Sequence, residues 1–396
     1  MAGGELPQLW LERGVAASEA GEHDEAERAF FQALALDSGF SAAALGLGLT
    51  YMAQRRFPEA VPPLRRAAAG LDTPGAWIAC LAQALYMTGD FSGCVAAFER
   101  AARVEPLGDN ARLTLAGARS LAAMTSGPVD RALADYQAET GGDAEGLIEF
   151  AQEASNVLAA FGYAAPAADL VRWQLGQAPG DPVLAYRLQA LEGAPLDRSP
   201  PSYVEAHFDG FAARFDQQLV EMLNYAAPAE LAALLAGSRF ARALDLGCGT
   251  GLAAESLALL TDHLTGVDLS GGMLARAGAR GGYDVLFKAE ALDFLRDHTG
   301  GFDLVFAADV LIYFGDLAPL FDAVAGALER GGVFAFSTER GEADWALLSS
   351  GRFAHADAYV DRLAARNFEL RTRAPTHLRQ EAGGQVEGAL HLLVRR

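Results

Sequence analysis

Side chains of matching size recur every 34 residues in the first third of the chain, and this period constrains the fold more than any other feature. Three series keep it: Ala26, Ala60 and Cys94; Phe30, Leu64 and Phe98; and Ala33, Ala67 and Ala101. Small residues at such positions let two helices approach closely, while the larger series fills the space between one helix pair and the next. The period therefore predicts stacked helix pairs.

The repeat resembles the tetratricopeptide (TPR) pattern. The residues that carry the resemblance are Trp10, Gly14, Gly21, Ala26, Phe30 and Ala33 in the first unit and Gly89, Phe91, Phe98, Ala101 and Pro106 in the third. Beyond Pro106 the register slips, but helical patterns continue to about Leu191. We expect an all-α TPR solenoid of about five helix pairs over residues 1–194, whose concave face would bind a protein or peptide.

The pattern changes after this region. Residues 195–201 are rich in proline and lack periodicity, which indicates a linker. Short apolar runs then alternate with helical patterns, an order typical of a parallel sheet covered by helices. We therefore predict two domains, with an α/β domain over residues 202–396.

The first apolar run of the second domain leads into a glycine loop. It ends at Asp245 and Leu246, and the loop from Gly247 to Gly251 has the spacing Gly-x-Gly-x-Gly. Glycines at the carboxyl end of a strand let a nucleotide-like cofactor approach the backbone. Leu252 stands where a dinucleotide-binding loop would have its third glycine, which disfavours NAD.

Acidic residues follow the next three predicted strands. Asp268 ends the second strand, where a carboxylate can accept hydrogen bonds from ribose hydroxyls. Glu290 follows the third and could accept from an adenine amino group, and Asp309 and Tyr313 follow the fourth. A pair of glycines, Gly331 and Gly332, precedes the fifth strand.

Taken together, Leu-Asp-Leu-Gly-Cys-Gly-Thr-Gly, Gly-Val-Asp-Leu-Ser, Ala-Glu-Ala, Phe-Asp-Leu-Val and Leu-Glu-Arg-Gly-Gly resemble the ordered motifs of class I (Rossmann-like) methyltransferases. The resemblance spans roughly the last half of the chain. It implies a seven-stranded sheet whose last strand is antiparallel, with a final hairpin of residues 368–378 and 386–394 around Gly383 and Gly384. It also implies S-adenosylmethionine (SAM) as the cofactor and S-adenosylhomocysteine (SAH) as its product.

By that resemblance, the loop glycines would line the methionine part of SAM, and Asp245 would approach its ammonium group. Asp268 would bind the ribose, and Leu269 and Met273 would flank the adenine base. The predicted cofactor contacts are Phe208, Phe215, Asp245, Gly247, Cys248, Gly249, Gly251, Asp268, Leu269, Met273, Glu290, Ala291, Asp309 and Tyr313.

An aromatic segment from Tyr203 to Tyr225 resembles the N-terminal lid of methyltransferases that act on small molecules. Phe208, Phe211 and Phe215 could contact the sulfonium through cation–π interactions. Equally, they could form the apolar stripe of an amphipathic helix packed on the sheet.

The methyl acceptor is left open by the sequence. A net charge of −20, the absence of an Asn/Asp-Pro-Pro motif after Asp309 and the position of Cys248 inside the glycine loop argue against nucleic acid. Two acceptors remain, a protein or peptide presented by the solenoid and a small molecule enclosed by the lid. The alternative is a TPR adaptor whose methyltransferase fold binds SAM or SAH without turnover. Candidate bases for an oxygen nucleophile are His207, Asp309, Glu339, His355 and His377.

The three cysteines, Cys80, Cys94 and Cys248, suit neither paired disulfides nor a zinc site, so no metal is expected. The sequence shows no secretory or membrane-spanning segment. We therefore expect a cytoplasmic protein that does not enter the membrane.

Overall fold

A computed structural model of the chain describes residues 6–212, 226–381 and 384–396. The predicted cofactor contact Phe215, the lid residue Tyr225 and the turn residue Gly383 lie outside these ranges. The chain divides into two compact units, Met1–Pro166 and Ala167–Arg396.

The first unit is entirely helical in its described part. Its helices are α1 Pro7–Glu19, α2 His23–Leu36, α3 Ser41–Ala53, α4 Phe57–Ala67, α5 Gly75–Met87, α6 Phe91–Val104, α7 Asp109–Met124, α8 Val129–Thr140 and α9 Ala144–Ala160. The next helix, α10 Ala164–Gln177, begins in the first unit and continues into the second.

The 34-residue series lie where the predicted packing places them. All nine members are at most 1% exposed, which puts every one of them in the core of the unit. A Cβ atom on Gly14 would come within 2.6 Å of the Phe30 ring, and one on Gly48 within 2.5 Å of Leu64. Glycine thus permits the same close helix contact in the first and second repeats.

The second unit contains further helices and a mixed sheet. Its helices are α11 Pro182–Leu191, α12 Pro201–Phe211, α13 Ala227–Ala233, α14 Ala254–Ala258, α15 Gly271–Arg280, α16 Ala291–Asp297, α17 Ala318–Ala327 and α18 Asp357–Asn367. Its strands are β1 Ala243–Leu246, β2 Leu264–Asp268, β3 Val285–Lys288, β4 Phe302–Ala307, β5 Leu328–Arg340, β6 Trp345–Leu347, β7 Phe353–His355, β8 Phe368–Glu381 and β9 Gly384–Arg395.

The sheet has the predicted parallel centre and antiparallel hairpin. Strands β3, β2, β1, β4 and β5 lie side by side in that order and run parallel. Strand β9 pairs antiparallel with both β5 and β8. The prediction of seven strands was too low, because nine are present in the described residues. Strand β7 pairs with the end of β5 and with β6. Strands β6 and β7 are each only three residues long.

Buried apolar side chains cover both faces of this sheet. One cluster includes Leu244, Val305, Phe321, Phe334 and Phe336, and a second includes Leu231, Leu257, Leu304, Phe306 and Leu392. Alternate residues of β4 therefore enter opposite cores, as expected for a strand between two helical layers. No helix in the described parts of the chain is long and apolar enough to cross a membrane.

Residues 195–200 form no helix or strand and belong to the second unit, and Pro201 begins α12. The backbone N–H of Ser199 donates to the Tyr313 carbonyl oxygen at 2.8 Å, and the Gly315 N–H donates to the Asp197 carbonyl oxygen at 2.8 Å. Helix α11, which was expected to close the solenoid, also belongs to the second unit. The domain boundary at 195–201 stays a prediction.

Candidate active site

A cavity of about 330 Å³ lies at the carboxyl ends of the central parallel strands. This is the edge at which open α/β sheets bind ligands. Most of the predicted cofactor contacts line it: Phe208, Asp245, Gly247, Cys248, Gly249, Asp268, Leu269, Glu290, Ala291, Asp309 and Tyr313. Residues far apart in the sequence thus meet in one concave site.

The glycine loop after β1 is shaped for close approach of a ligand. Gly247 and Gly249 have φ angles of 70° and 54°, which glycine adopts without strain. A Cβ on Gly247 would come within 2.5 Å of the Val310 side chain, whereas one on Gly249 would meet nothing within 4 Å. Because Gly249 lines the cavity, a side chain there would occupy ligand space.

Three backbone N–H groups of the loop donate hydrogen bonds to other groups of the protein. Gly247 and Cys248 both donate to the Val267 carbonyl oxygen, at 2.7 and 3.0 Å, and Gly249 donates to Asp268 Oδ2 at 2.9 Å. A dinucleotide-binding loop instead offers such groups to a pyrophosphate. The loop therefore fits a cofactor without phosphates, such as SAM.

Asp245 lies at the end of β1 with only 3% of its surface exposed. The Tyr283 hydroxyl donates to its Oδ2 at 2.6 Å. Burial raises the pKa of Asp245 to about 7, and the nearby charge of Asp268 also raises it, while the hydrogen bond from Tyr283 lowers it. A buried carboxylate beside a cavity gains stability from a cationic group, which the ammonium of SAM would supply.

Asp268 ends β2 and lies beside the glycine loop. Its Oδ1 accepts from the Ser270 N–H at 2.8 Å, and its Oδ2 accepts from the Gly249 N–H. Burial raises the pKa of Asp268, and these backbone hydrogen bonds lower it. Both oxygens of Asp268 thus already accept hydrogen bonds within the protein, and its contact with the ribose hydroxyls stays a prediction.

Glu290 caps a helix at the other side of the cavity. Its Oε2 accepts from the Asp293 N–H at 3.0 Å at the start of α16, and its Oε1 lies 3.5 Å from the Arg198 guanidinium. The cap orients the carboxylate at the cavity wall, and its predicted contact with the adenine amino group stays a prediction.

Asp309 follows β4 in an uncommon backbone conformation. Its φ is 57°, a left-handed value that aspartate tolerates better than most residues, and its N–H donates to Ser337 Oγ at 2.8 Å. The carboxylate lies 3.8 Å from Arg379, which also pairs with Glu339. Arg379 is buried, so this arrangement is a desolvated charge cluster in the cavity wall.

Aromatic side chains of α12 line the cavity. Phe208 and Phe211 line it, and the Phe208 ring lies edge-on to Tyr313, 5.6 Å between centroids. His207 also lines the cavity and packs against Tyr203 at 5.5 Å. Burial, together with the charges of Arg352 and Arg187, lowers the pKa of His207 to about 4, so its imidazole is neutral at pH 7.

A sequence profile described as a methyltransferase domain matches residues 244–336, from β1 into β5. The matched range contains the glycine loop, Asp268, Glu290 and Asp309, which the cavity brings together. The chain contains a methyltransferase domain. No curated protein sequence matches it significantly.

Solved methyltransferase structures are similar to part of the chain. The N-methyltransferase NodS from Bradyrhizobium japonicum WM9, in complex with SAH, is 20% identical with a TM-score of 0.41, over 48% of this chain and 98% of NodS. The DhpI–SAH complex is 26% identical with a TM-score of 0.36, over 48% of this chain and 94% of DhpI. A SAM-dependent methyltransferase from Mesorhizobium loti is 25% identical with a TM-score of 0.35, over 42% and 96% respectively.

Two predicted cofactor contacts of the methyltransferase lie away from the cavity wall. A Cβ on Gly251 would come within 3.1 Å of the Tyr283 ring and 3.4 Å of Ala277, so this glycine permits packing behind the loop. Met273 is only 1% exposed on α15. Their contacts with SAM stay predictions, as does that of Phe215.

The candidate bases separate by position. His207 and Asp309 line the cavity of the methyltransferase. His355 Nε2 lies 2.9 Å from the Phe314 carbonyl oxygen, and burial lowers its pKa to about 4, so this side chain has a structural role. Glu339 pairs with Arg379 behind the wall, and His377 is exposed on β8.

Four residues of the site escaped the sequence analysis: Asp209, Tyr283, Arg352 and Arg379. Arg352 and Arg379 line the cavity, and Tyr283 holds Asp245. Asp209 on α12 accepts hydrogen bonds from the Ser270 hydroxyl at 2.5 Å and the Gly272 N–H at 3.0 Å. None of the four belongs to a local motif, because each meets the site only through the tertiary fold.

Proposed function

We propose that the methyltransferase transfers the methyl group of SAM to a small-molecule acceptor bound in the cavity. The observation that supports this proposal is that one cavity is lined both by most of the predicted cofactor residues and by aromatic residues of α12. A ligand between them would be largely shielded from water, as small-molecule sites are.

The cavity residues would bind different parts of the cofactor and the acceptor, according to the chemistry of their side chains. In this proposal Asp245 and Asp268 hold the polar ends of the cofactor, and Gly249 leaves room for it. The rings of Phe208 and Tyr313 are in edge-to-face contact in the cavity lining. In this proposal they would lie beside the reacting centre, where a cation–π interaction would stabilise positive charge. Holding the acceptor close and in line would supply much of the rate.

When bound, SAM supplies a methyl group on a positive sulfur, and transfer forms a bond from that carbon to an acceptor lone pair while the carbon–sulfur electron pair stays on sulfur. An acceptor that carries a proton must lose it. His207 and Asp309 line the cavity, so either could take a proton from the acceptor within the site.

We also propose that the helical unit is a TPR solenoid that binds a protein or peptide partner. Its matched helix contacts at Gly14 and Gly48 support the repeat, and large apolar side chains stay exposed on it, among them Leu49 at 42% and Leu113 at 57%. Exposed apolar side chains commonly mark binding surfaces.

The acceptor class can be tested with labelled SAM and a cell lysate separated into small molecules, proteins and nucleic acids. We expect label in the small-molecule fraction, and label in the protein fraction alone would contradict a small-molecule acceptor. If the protein binds SAM but labels no fraction, the alternative of an adaptor that binds SAM or SAH without turnover is favoured.

A further inference from the structure

We propose that four arginines at the other edge of the sheet form a second binding site, which takes the phosphate groups of an anion. They are Arg330, Arg366, Arg395 and Arg396. This site is separate from the cavity beside the glycine loop, so the inference does not rest on the proposed function.

A cavity of about 340 Å³ lies where α17 and α18 end and β5 begins. We call it the arginine cavity, and it is lined by Asp322, Ala325, Gly326, Arg330, Arg366, Asn367, Arg395 and Arg396. Strands β1 and β5 both run parallel to β4, and β9 runs antiparallel to β5 and ends at Arg395. The arginine cavity is therefore at the amino ends of the parallel strands, whereas the glycine loop follows the carboxyl end of β1.

Positive charge predominates in the arginine cavity. Among its described lining residues Asp322 is the one acid, and its Oδ1 accepts a hydrogen bond from Asn367 Nδ2 at 3.4 Å. None of the four arginines forms an ion pair with a carboxylate in the described part of the chain. Carboxylates are not scarce, because the protein has 51 acidic side chains and 31 basic ones. Guanidinium groups gathered without such partners repel one another, and a bound anion would relieve that repulsion.

The end of a helix accounts for the position of only two of the four arginines. The last carbonyl groups of a helix carry partial negative charge and attract cations. Arg366 lies in the last turn of α18, and Arg396 Nη1 donates to the Ala365 carbonyl oxygen of this helix at 3.3 Å. Arg330 and Arg395 lie on β5 and β9, and neither side chain donates a hydrogen bond to another described residue. Their guanidinium groups are available to a ligand.

Several guanidinium groups around one small cavity suit phosphate better than carboxylate. A carboxylate carries one charge on two oxygens, which a single guanidinium can bind. A phosphate group carries about two charges and three acceptor oxygens, so more than one arginine can bind it. No aromatic or large apolar side chain is present among the described lining residues to hold a base or an acyl chain. The arginine cavity should therefore recognise phosphate itself, free or attached to a larger molecule.

The inference is tested by titration calorimetry of the full-length protein with inorganic triphosphate, in the absence of divalent cations. We expect saturable binding that weakens as the salt concentration rises from about 0.05 M to about 0.5 M, because salt screens exposed charges. Absence of binding to wild type, or an affinity that does not change with salt, would overturn the inference.

The residues are tested by combining Arg330→Gln with Arg366→Gln. Both side chains are exposed, so the variant should fold, which thermal unfolding would check. We expect its affinity for triphosphate to be lower by about tenfold or more. The matched control combines Arg66→Gln with Arg103→Gln, two exposed arginines in the last turns of α4 and α6. It removes the same charge and should bind as wild type. Equal losses in the two variants would indicate an effect of net charge and overturn the inference.

The source of the phosphate is distinguished by comparing triphosphate with UTP, which carries the same phosphates on a nucleoside. We expect similar affinities, because the described lining has no group that would hold the base. If UTP bound more than about tenfold tighter, a nucleoside would be recognised, and a site for phosphate alone would be wrong. The tricarboxylate citrate should bind more weakly than triphosphate, and equal affinities would contradict the choice of phosphate over carboxylate.

Discussion

At the scale of single residues, the ionisation of Asp245 links pH to cofactor binding. Burial raises the pKa of this carboxyl to about 7, so both protonation states are populated near neutral pH. The ammonium group of SAM favours the ionised form. Below pH 7 the cofactor-free protein must therefore release a proton before SAM can bind at this position.

We expect the affinity for SAM to be almost constant at pH values above this pKa and to fall by up to about tenfold for each pH unit below it. Titration calorimetry between about pH 5.5 and pH 8 would measure this slope. The control is Asp245→Asn, which should bind SAM more weakly but lose the part of the pH dependence that comes from Asp245. Any pH dependence that remains would come from other groups such as Asp268, whose pKa is also raised by burial. Equal affinities for wild type at both ends of the range would contradict the assignment.

Tyr283 tunes that ionisation. Its ring lies beside Gly266, where a Cβ would come within 2.9 Å of it, and its hydroxyl donates to Asp245. Because this hydrogen bond favours the carboxylate, Tyr283→Phe should raise the pKa of Asp245 and move the bend in the affinity profile to higher pH. If the pH at which the affinity begins to fall were the same in Tyr283→Phe and wild type, the hydrogen bond would not determine the pKa of Asp245.

The sequence predicted the residues whose spacing reflects local geometry. Gly247 and Gly249 lie in the loop after β1 and Asp268 ends β2, so the strand pattern predicts them at one edge of the sheet. Tyr283 and Arg352 could not be predicted in this way. They reach the site from the turns before β3 and β7, and no periodic pattern specifies where such a turn points.

At the scale of elements, helix α12 is held over the cavity by polar contacts with the start of α15. Asp209 accepts from Ser270 and Gly272, and Ser270 Oγ also accepts from the Met273 N–H at 3.1 Å as the helix cap. Asp268 lies only two residues before this cap. The residues that Asp209 of α12 contacts and the predicted ribose-binding carboxylate therefore belong to the same segment, at the end of β2 and the start of α15.

We expect Asp209→Ala to weaken SAM binding several-fold, because the loss of two hydrogen bonds to a carboxylate loosens α12 and with it Phe208. Glu205→Gln is the matched control on the same helix. Glu205 makes an exposed ion pair with Lys288 at 2.7 Å, and such pairs contribute at most about 1 kcal/mol. Similar effects of the two substitutions on the calorimetric Kd would contradict a specific role for Asp209.

Element prediction succeeded where apolar runs were long or bounded by glycines. The central strands and the final hairpin of β8 and β9 lie where their patterns place them. Strands β6 and β7 were missed, because three residues are too few to show an alternating pattern. Their pairing with the end of β5 depends on contacts that the local sequence does not encode.

At the scale of the whole molecule, the contacts of α11 bear on where the chain divides into domains. Tyr186 contacts Tyr203 with 4.1 Å between ring centroids, and its hydroxyl contacts Ser199 and Gly351. These contacts lie inside the second unit, Ala167–Arg396. A linker at residues 195–201 would instead group α11 with the helical unit, so the two divisions of the chain lead to different expectations.

We therefore expect a shortened chain beginning at Ala167 to bind SAM as tightly as the full-length protein. A chain beginning at Leu196 should unfold at a lower temperature, because loss of a buried aromatic residue such as Tyr186 costs about 3–5 kcal/mol. Thermal unfolding followed by circular dichroism, together with calorimetry, would compare the two. Equal stability would favour the boundary at 195–201.

The central claim, that the cavity beside the glycine loop holds SAM, is tested most directly by titration calorimetry of Gly249→Val. A valine at Gly249 would enter the cavity, and its φ of 54° would be strained. Gly331→Val is the matched control, because Gly331 also has a positive φ, 81°, and open space around it but lies at the start of β5. We predict that wild type and Gly331→Val bind SAM and that a folded Gly249→Val does not. SAM binding by Gly249→Val with wild-type affinity, or its absence in wild type, would contradict the account.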